Sequence, residues 1–137
     1  MATYQADKTA STVQARGGID ITSITGTYTV GANLAANDVI QMVKVPAGAT
    51  VQELIVSASA SVAATSTGEV GDGGDTDRFV ASGSIGGGAA TLTRLNAATG
   101  HGYTYTSEDT IDIKFTVQTT PTTGAVLKLT AIYTMQS

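Results

Sequence analysis

Three of the chain's eleven acidic side chains fall inside nine residues, Gly71-Asp72-Gly73-Gly74-Asp75-Thr76-Asp77-Arg78-Phe79. Carboxylates set among glycines can cage calcium, border a phosphate-binding backbone or make a tight turn, and each demands its own spacing. An EF-hand loop takes oxygen ligands at positions 1, 3 and 5, glycine at 6 and glutamate at 12. Counted from Asp75, the fifth position is Phe79 and the twelfth is Gly86. The calcium-binding nonapeptide needs glycine where Thr76 stands, and it needs several copies. A P-loop needs Gly-Lys-Ser/Thr, yet no Gly-Lys pair occurs in the chain. The dinucleotide fingerprint fails because Thr76 occupies its last glycine. What remains is a hairpin turn: glycines accept positive φ, aspartates bond nearby backbone amides, and Arg78 offsets the local charge. Gly71, Asp72, Gly73, Gly74, Asp75, Asp77 and Arg78 are read as that turn. A fortuitous calcium cage of Glu69, Asp72, Asp75 and Asp77 is the alternative, but no metal and no cofactor is expected.

Catalytic groups are no better placed. His101 is the single histidine and sits between Gly100 and Gly102, which suits a loop. Ser82-Gly83-Ser84-Ile85-Gly86 lacks the first glycine of a nucleophile elbow. Glu108 and Asp109 are adjacent before a strand and point to opposite faces, a poor acid–base pair. Sugar-stacking platforms usually want Trp or clustered Tyr; Tyr103 and Tyr105 share one face, but so do the core residues of any strand. The chain is read as no enzyme, with no catalytic residues.

The elements that carry these groups follow from composition. In 137 residues, one domain with a real core is expected. There is no cysteine, so disulfides and thiolate chemistry are excluded. Net charge is −4 and the seven cations are scattered singly, which argues against a nucleic-acid partner. No signal peptide is visible and no run of about 18 apolar residues exists, so no membrane partner is expected and synthesis is placed in the cytoplasm. Thr, Ala and Gly dominate, while good helix formers are sparse. β-Branched residues favour strands.

Alternation gives the strands. Ile111, Ile113, Phe115 and Val117 alternate with Thr110, Asp112, Lys114 and Thr116, so the first set faces a core and the second faces water. Leu127, Leu129, Ala131, Tyr133 and Met135 repeat the pattern, and the two strands are expected to pair as a hairpin. Residues 38–45 are apolar on both faces, which suggests a central strand covered twice. Pro46-Ala47-Gly48 then reads as a type I turn. The next strand places Leu54, Val56, Ala58 and Ala60 on one face. Shorter candidates span 24–30, 67–71, 77–83 and 102–107; residues 90–99 read as loop or one helical turn. The sum is an all-β, single-domain, jelly-roll-like β-sandwich with an extended N-terminal segment. Its core is expected to include Val39, Val43, Leu54, Val56, Ile111, Ile113, Phe115, Leu127 and Leu129. Residues 1–23 hold few large apolar groups and read as an arm beside the 24–137 sandwich, either frayed or lying on a partner through Tyr4, Val13 and Arg16.

The order ANDVIQMVKVPAGATVQELIV, GEVGDGGDTDRFVASG, GYTYTSEDTIDIKFTV and LKLTAIYT resembles a family of small head proteins of tailed bacteriophages, the capsid cement (decoration) proteins. The resemblance covers residues 24–135. It implies a jelly-roll protein on the capsid exterior of a virion that clamps subunits of the major capsid protein against internal pressure. It also implies that the Gly-Asp-rich stretch connects strands and does not catalyse. A tail, baseplate or fibre module is the alternative role. Self-association is expected, as a homodimer or else a trimer.

Overall fold

The computed structural model describes residues 1–8, 19–59, 67–85, 92–117 and 121–136, and among them there are nine strands and no helix. These are β1 (Thr3–Lys8), β2 (Ile19–Thr29), β3 (Val39–Val45), β4 (Thr50–Ala58), β5 (Thr67–Gly71), β6 (Val80–Ile85), β7 (Leu92–Arg94), β8 (Asp109–Val117) and β9 (Val126–Gln136). A five-stranded sheet runs β1-β3-β8-β5-β6, and a four-stranded sheet runs β2-β9-β4-β7. The pairs are antiparallel except β1–β3, which is parallel. The two sheets enclose one core in a jelly-roll-like sandwich.

β8 and β9 both alternate as expected, but they do not pair: β8 lies in the five-stranded sheet and β9 in the four-stranded one. Alternation reports which face is buried, not which sheet a strand joins. Ile111, Ile113 and Phe115 meet Leu127, Leu129 and Ala131 within the shared core. The connection between them is too long for the two-residue loop that would enforce a hairpin. β5 and β6 are the consecutive strands that pair.

β3 is not covered twice. Its register shifts between Gln41 and Val43, and this bulge flips parity, so Ile40 and Met42 before it and Val43 and Val45 after it all turn inward. Val39 is only half-buried, a correction to the expected core. A second bulge between Val51 and Glu53 adds Val51 to the inward set of Leu54, Val56 and Ala58. Residue 60 lies outside the described residues. In the Pro46–Ala49 turn, Gly48 has φ +88° at the third position, which makes the turn type II instead of type I.

Other limits move. β2 starts at Ile19 and β6 at Val80. Residues 102–107 contribute one bridge, Thr104 to Thr50, and residues 92–94 form a short strand. Of the N-terminal segment, Thr3–Lys8 pairs with β3, with Ala6 buried, and residues from Ile19 belong to β2.

Candidate functional site

The acidic stretch connects β5 to β6, and it is organised by one residue. Asp72 is only 3% exposed. Its Oδ1 accepts from the backbone amides of Gly74 and Asp75, both at 3.0 Å, and from Arg78 Nη2 at 3.2 Å. Its Oδ2 accepts from Arg78 Nε at 2.7 Å and from the Tyr105 hydroxyl at 3.0 Å. Two backbone amides, a fork of the guanidinium and a phenol thus satisfy a carboxylate that burial would otherwise penalise.

An aromatic bed lies beneath. The Arg78 guanidinium stacks 3.8 Å from the Tyr103 ring centre, and Tyr103 meets Tyr105 edge-on at 5.0 Å. Phe79 is fully buried beside both rings. Burial and the charge of Asp72 push the Tyr105 phenol upward, so it stays a donor. The shared face of Tyr103 and Tyr105 is therefore an anchor for the loop.

Gly71 lets the loop fold back over the sheet. A Cβ there would stand 2.0 Å from the Asp75 carbonyl oxygen and 2.4 Å from the Thr76 carbonyl carbon. Only a residue without a side chain allows the loop to lie flat on β5.

This folding-back builds a groove of about 310 Å³ on the outer face of the five-stranded sheet. Val39, Gln41, Asp112 and Lys114 form its floor, with Thr76 on one wall and Thr3 of β1 on the other. Gln41 and Gly71 flank Asp112 in register. Asp112 does not face open water as alternation suggested. Its Oδ1 is buried and has no hydrogen-bond partner. Burial raises its pKa to about 7; a hydrogen bond from Thr110 opposes the shift, while the charges of Asp109 and Asp72 add to it.

The remaining candidates disperse. Asp75 is half-buried and Asp77 exposed; the Asp77 carboxyl is raised by its hydrogen bond with Asp75, by desolvation, and by the charges of Asp75 and Glu69. Among the described residues no three His, Asp or Glu side chains gather as a metal cage. Both oxygens of Asp72 are already engaged within the loop. His101 is exposed on a turn, and Glu108 pairs with Lys44 at 3.7 Å. Tyr4 is half-buried against the core margin, its ring 6.0 Å from Tyr28 and its hydroxyl donating to the Asn33 carbonyl at 3.2 Å. Val13 and Arg16 lie outside the described residues. Sequence reasoning missed Asp112 and Gln41, because the groove exists only once the loop has folded over Gly71.

No protein-family model matches the chain, and no curated protein sequence matches it. Solved structures do. The fold is similar to that of a chain in the capsid of Ralstonia phage GP4, with TM-score 0.83, 19% identity and 99% of each chain covered. It is also similar to a chain in the Cyanophage Pam1 capsid asymmetric unit, with TM-score 0.71, 17% identity, and 94% of this chain and 96% of that one covered. A chain in the acid-stable capsid of Helicobacter pylori bacteriophage KHP30 aligns with TM-score 0.58 and 19% identity, over 87% of this chain and 94% of that one.

Proposed function

We propose that this protein is a structural component of a phage virion that binds the outer surface of the capsid and cements neighbouring major capsid protein subunits. The observation that carries the reading is the end-to-end likeness of the sandwich to a chain from the capsid of Ralstonia phage GP4. The chemistry agrees with it. Asp72 ties the acidic loop down from within, so the loop can meet a partner in its folded shape. Rigid loops bind without the entropic penalty of being ordered at the interface.

In this reading the protein self-associates, as a two-fold dimer or as a trimer at three-fold positions, matching the symmetry of an icosahedral shell. Tyr4 is already engaged inside its own chain. Val13 and Arg16 are accordingly the anchors assigned to the partner from the 1–23 segment. The reading is tested by fractionation of virions: the protein should stay with tail-less heads in copy number comparable to the major capsid protein. Retention with tails in a few copies would favour a tail or baseplate part instead.

A further inference from the structure

We propose that the outer face of the four-stranded sheet pairs with the same face of a second copy of this chain, along an apolar stripe that crosses all four strands. The register draws the stripe. Ile132 of β9 lies opposite Ser23 of β2 and Glu53 of β4, and Ile55 of β4 lies opposite Arg94 of β7. Ile21 and Ile132, Ile132 and Ile55, and Ile55 and Leu92 are therefore diagonal neighbours, each about 7–8 Å from the next. The central two point away from the core, because Leu54, Val56, Ala131 and Tyr133 on either side of them are buried. The ends are bare: Ile21 is 78% exposed and Leu92 63%. Covering such a stripe removes apolar surface from water.

Symmetry and charge select a second copy. The stripe divides the face into two flanks. One carries Glu53 and Arg94, ion-paired at 3.2 Å, and the other carries the hydroxyls of Ser23, Thr130 and Ser57. A two-fold axis lying along the stripe sets each apolar residue on its own counterpart. It also carries Glu53 over Thr130 of the second copy and Arg94 over Ser57, so charges meet hydroxyls and like charges do not oppose. Lys128 maps past the end of β7. An axis across the stripe would instead bring Glu53 onto Glu53. Isoleucine and threonine are β-branched and lose little rotamer freedom on docking. Four strands about 4.8 Å apart, over the nine residues of β4, present roughly 500 Å² per copy, toward the small end of specific interfaces. The pairing is accordingly weak and reversible between isolated copies.

The inference names a surface for the self-association that belongs to the head-binding reading, and it is tested without heads so that the two fail separately. Sedimentation equilibrium follows the full chain from about 5 µM to about 500 µM, where the wild type should pass from monomer to dimer. Ile132→Lys and Ile132→Glu should each weaken dimerisation about tenfold or more, because position 132 faces itself and like charges then meet. An equimolar mixture of the two should dimerise again. Thermal melts check that both fold; if either melts early, the same exchange at Ile21, an exposed site, decides. A wild type that stays monomeric throughout, or that forms trimers, overturns the pairing. So do variants that dimerise like the wild type, or a mixture that gains nothing over its components. A monomeric wild type whose head binding is lost in Ile21→Lys also overturns it and makes the stripe a capsid contact. A wild type that dimerises as expected yet ignores heads leaves the pairing standing, and the capsid reading falls.

Discussion

The Tyr105 hydroxyl donates to the Asp72 carboxylate at 3.0 Å inside the protein, across 33 residues of sequence. That bond ties the acidic loop to the segment before β8, and Arg78 completes the tie by gripping Asp72 while lying on Tyr103. The loop is thus shaped from within, and its outer edge becomes the wall of a groove.

The aspartates of the loop should respond very differently to mutation. Asp72→Ala leaves a half-buried guanidinium and a buried phenol without partners, and should destabilise by about 3–5 kcal/mol. Asp75→Asn and Asp77→Asn should stay within about 0.5 kcal/mol. Urea titrations compare them; equal losses at all three positions would refute Asp72 as the hub. The melting temperature should also be the same in EDTA and in millimolar calcium, whereas a rise with calcium would mean a bound ion.

Asp112 predicts an unusual pH dependence. Its pKa is about 7 in the folded protein against the ordinary 3.8. The folded state therefore holds the proton more tightly than the unfolded state. This group favours folding at low pH, and its contribution falls as pH rises from about 4 to about 7. The stability difference between Asp112→Asn and wild type should grow in favour of the variant over that window, by on the order of a few kcal/mol. Denaturant midpoints at successive pH values measure it, and a constant difference would contradict it.

Core truncations should separate inward from marginal positions. Ile113→Ala and Phe115→Ala, at fully buried sites, should cost about 2–5 kcal/mol. Val39→Ala, at a half-buried site on the groove floor, should cost less than about 1 kcal/mol. Thermal melts rank the three; comparable losses would put Val39 back in the core.

Deleting residues 2–8 removes β1, the buried Ala6 and the bond from the Ala2 amide to Asp38 at 2.9 Å. The melting temperature should fall by roughly 5 °C or more. An unchanged melt would mean that this strand contributes nothing to the isolated sandwich.

The all-β class and the inward faces of β8 and β9 were legible because period-two alternation reads burial directly. Sheet membership was not, since β8 and β9 bear the same pattern whether they lie side by side or across the core from each other. The bulges at Met42 and near Gln52 were hidden for a related reason. One extra residue shifts parity, and Val39-Ile40-Met42-Val43 then mimics a strand apolar on both faces. The loop's turn chemistry was visible in its glycines, but the choice of Asp72 among three aspartates depends on Tyr105, far away in sequence. Asp112 looked solvated because nothing local reveals that residues 72–76 will cover it.

The proposed capsid role is tested most directly by adding the purified chain to tail-less, undecorated phage heads and sedimenting the mixture. The account predicts saturable binding at a copy number comparable to the major capsid protein, with decorated heads surviving heat or osmotic shock better than bare ones. A chain that stays in the supernatant at every concentration, or that heads bind without any gain in resistance, would contradict it.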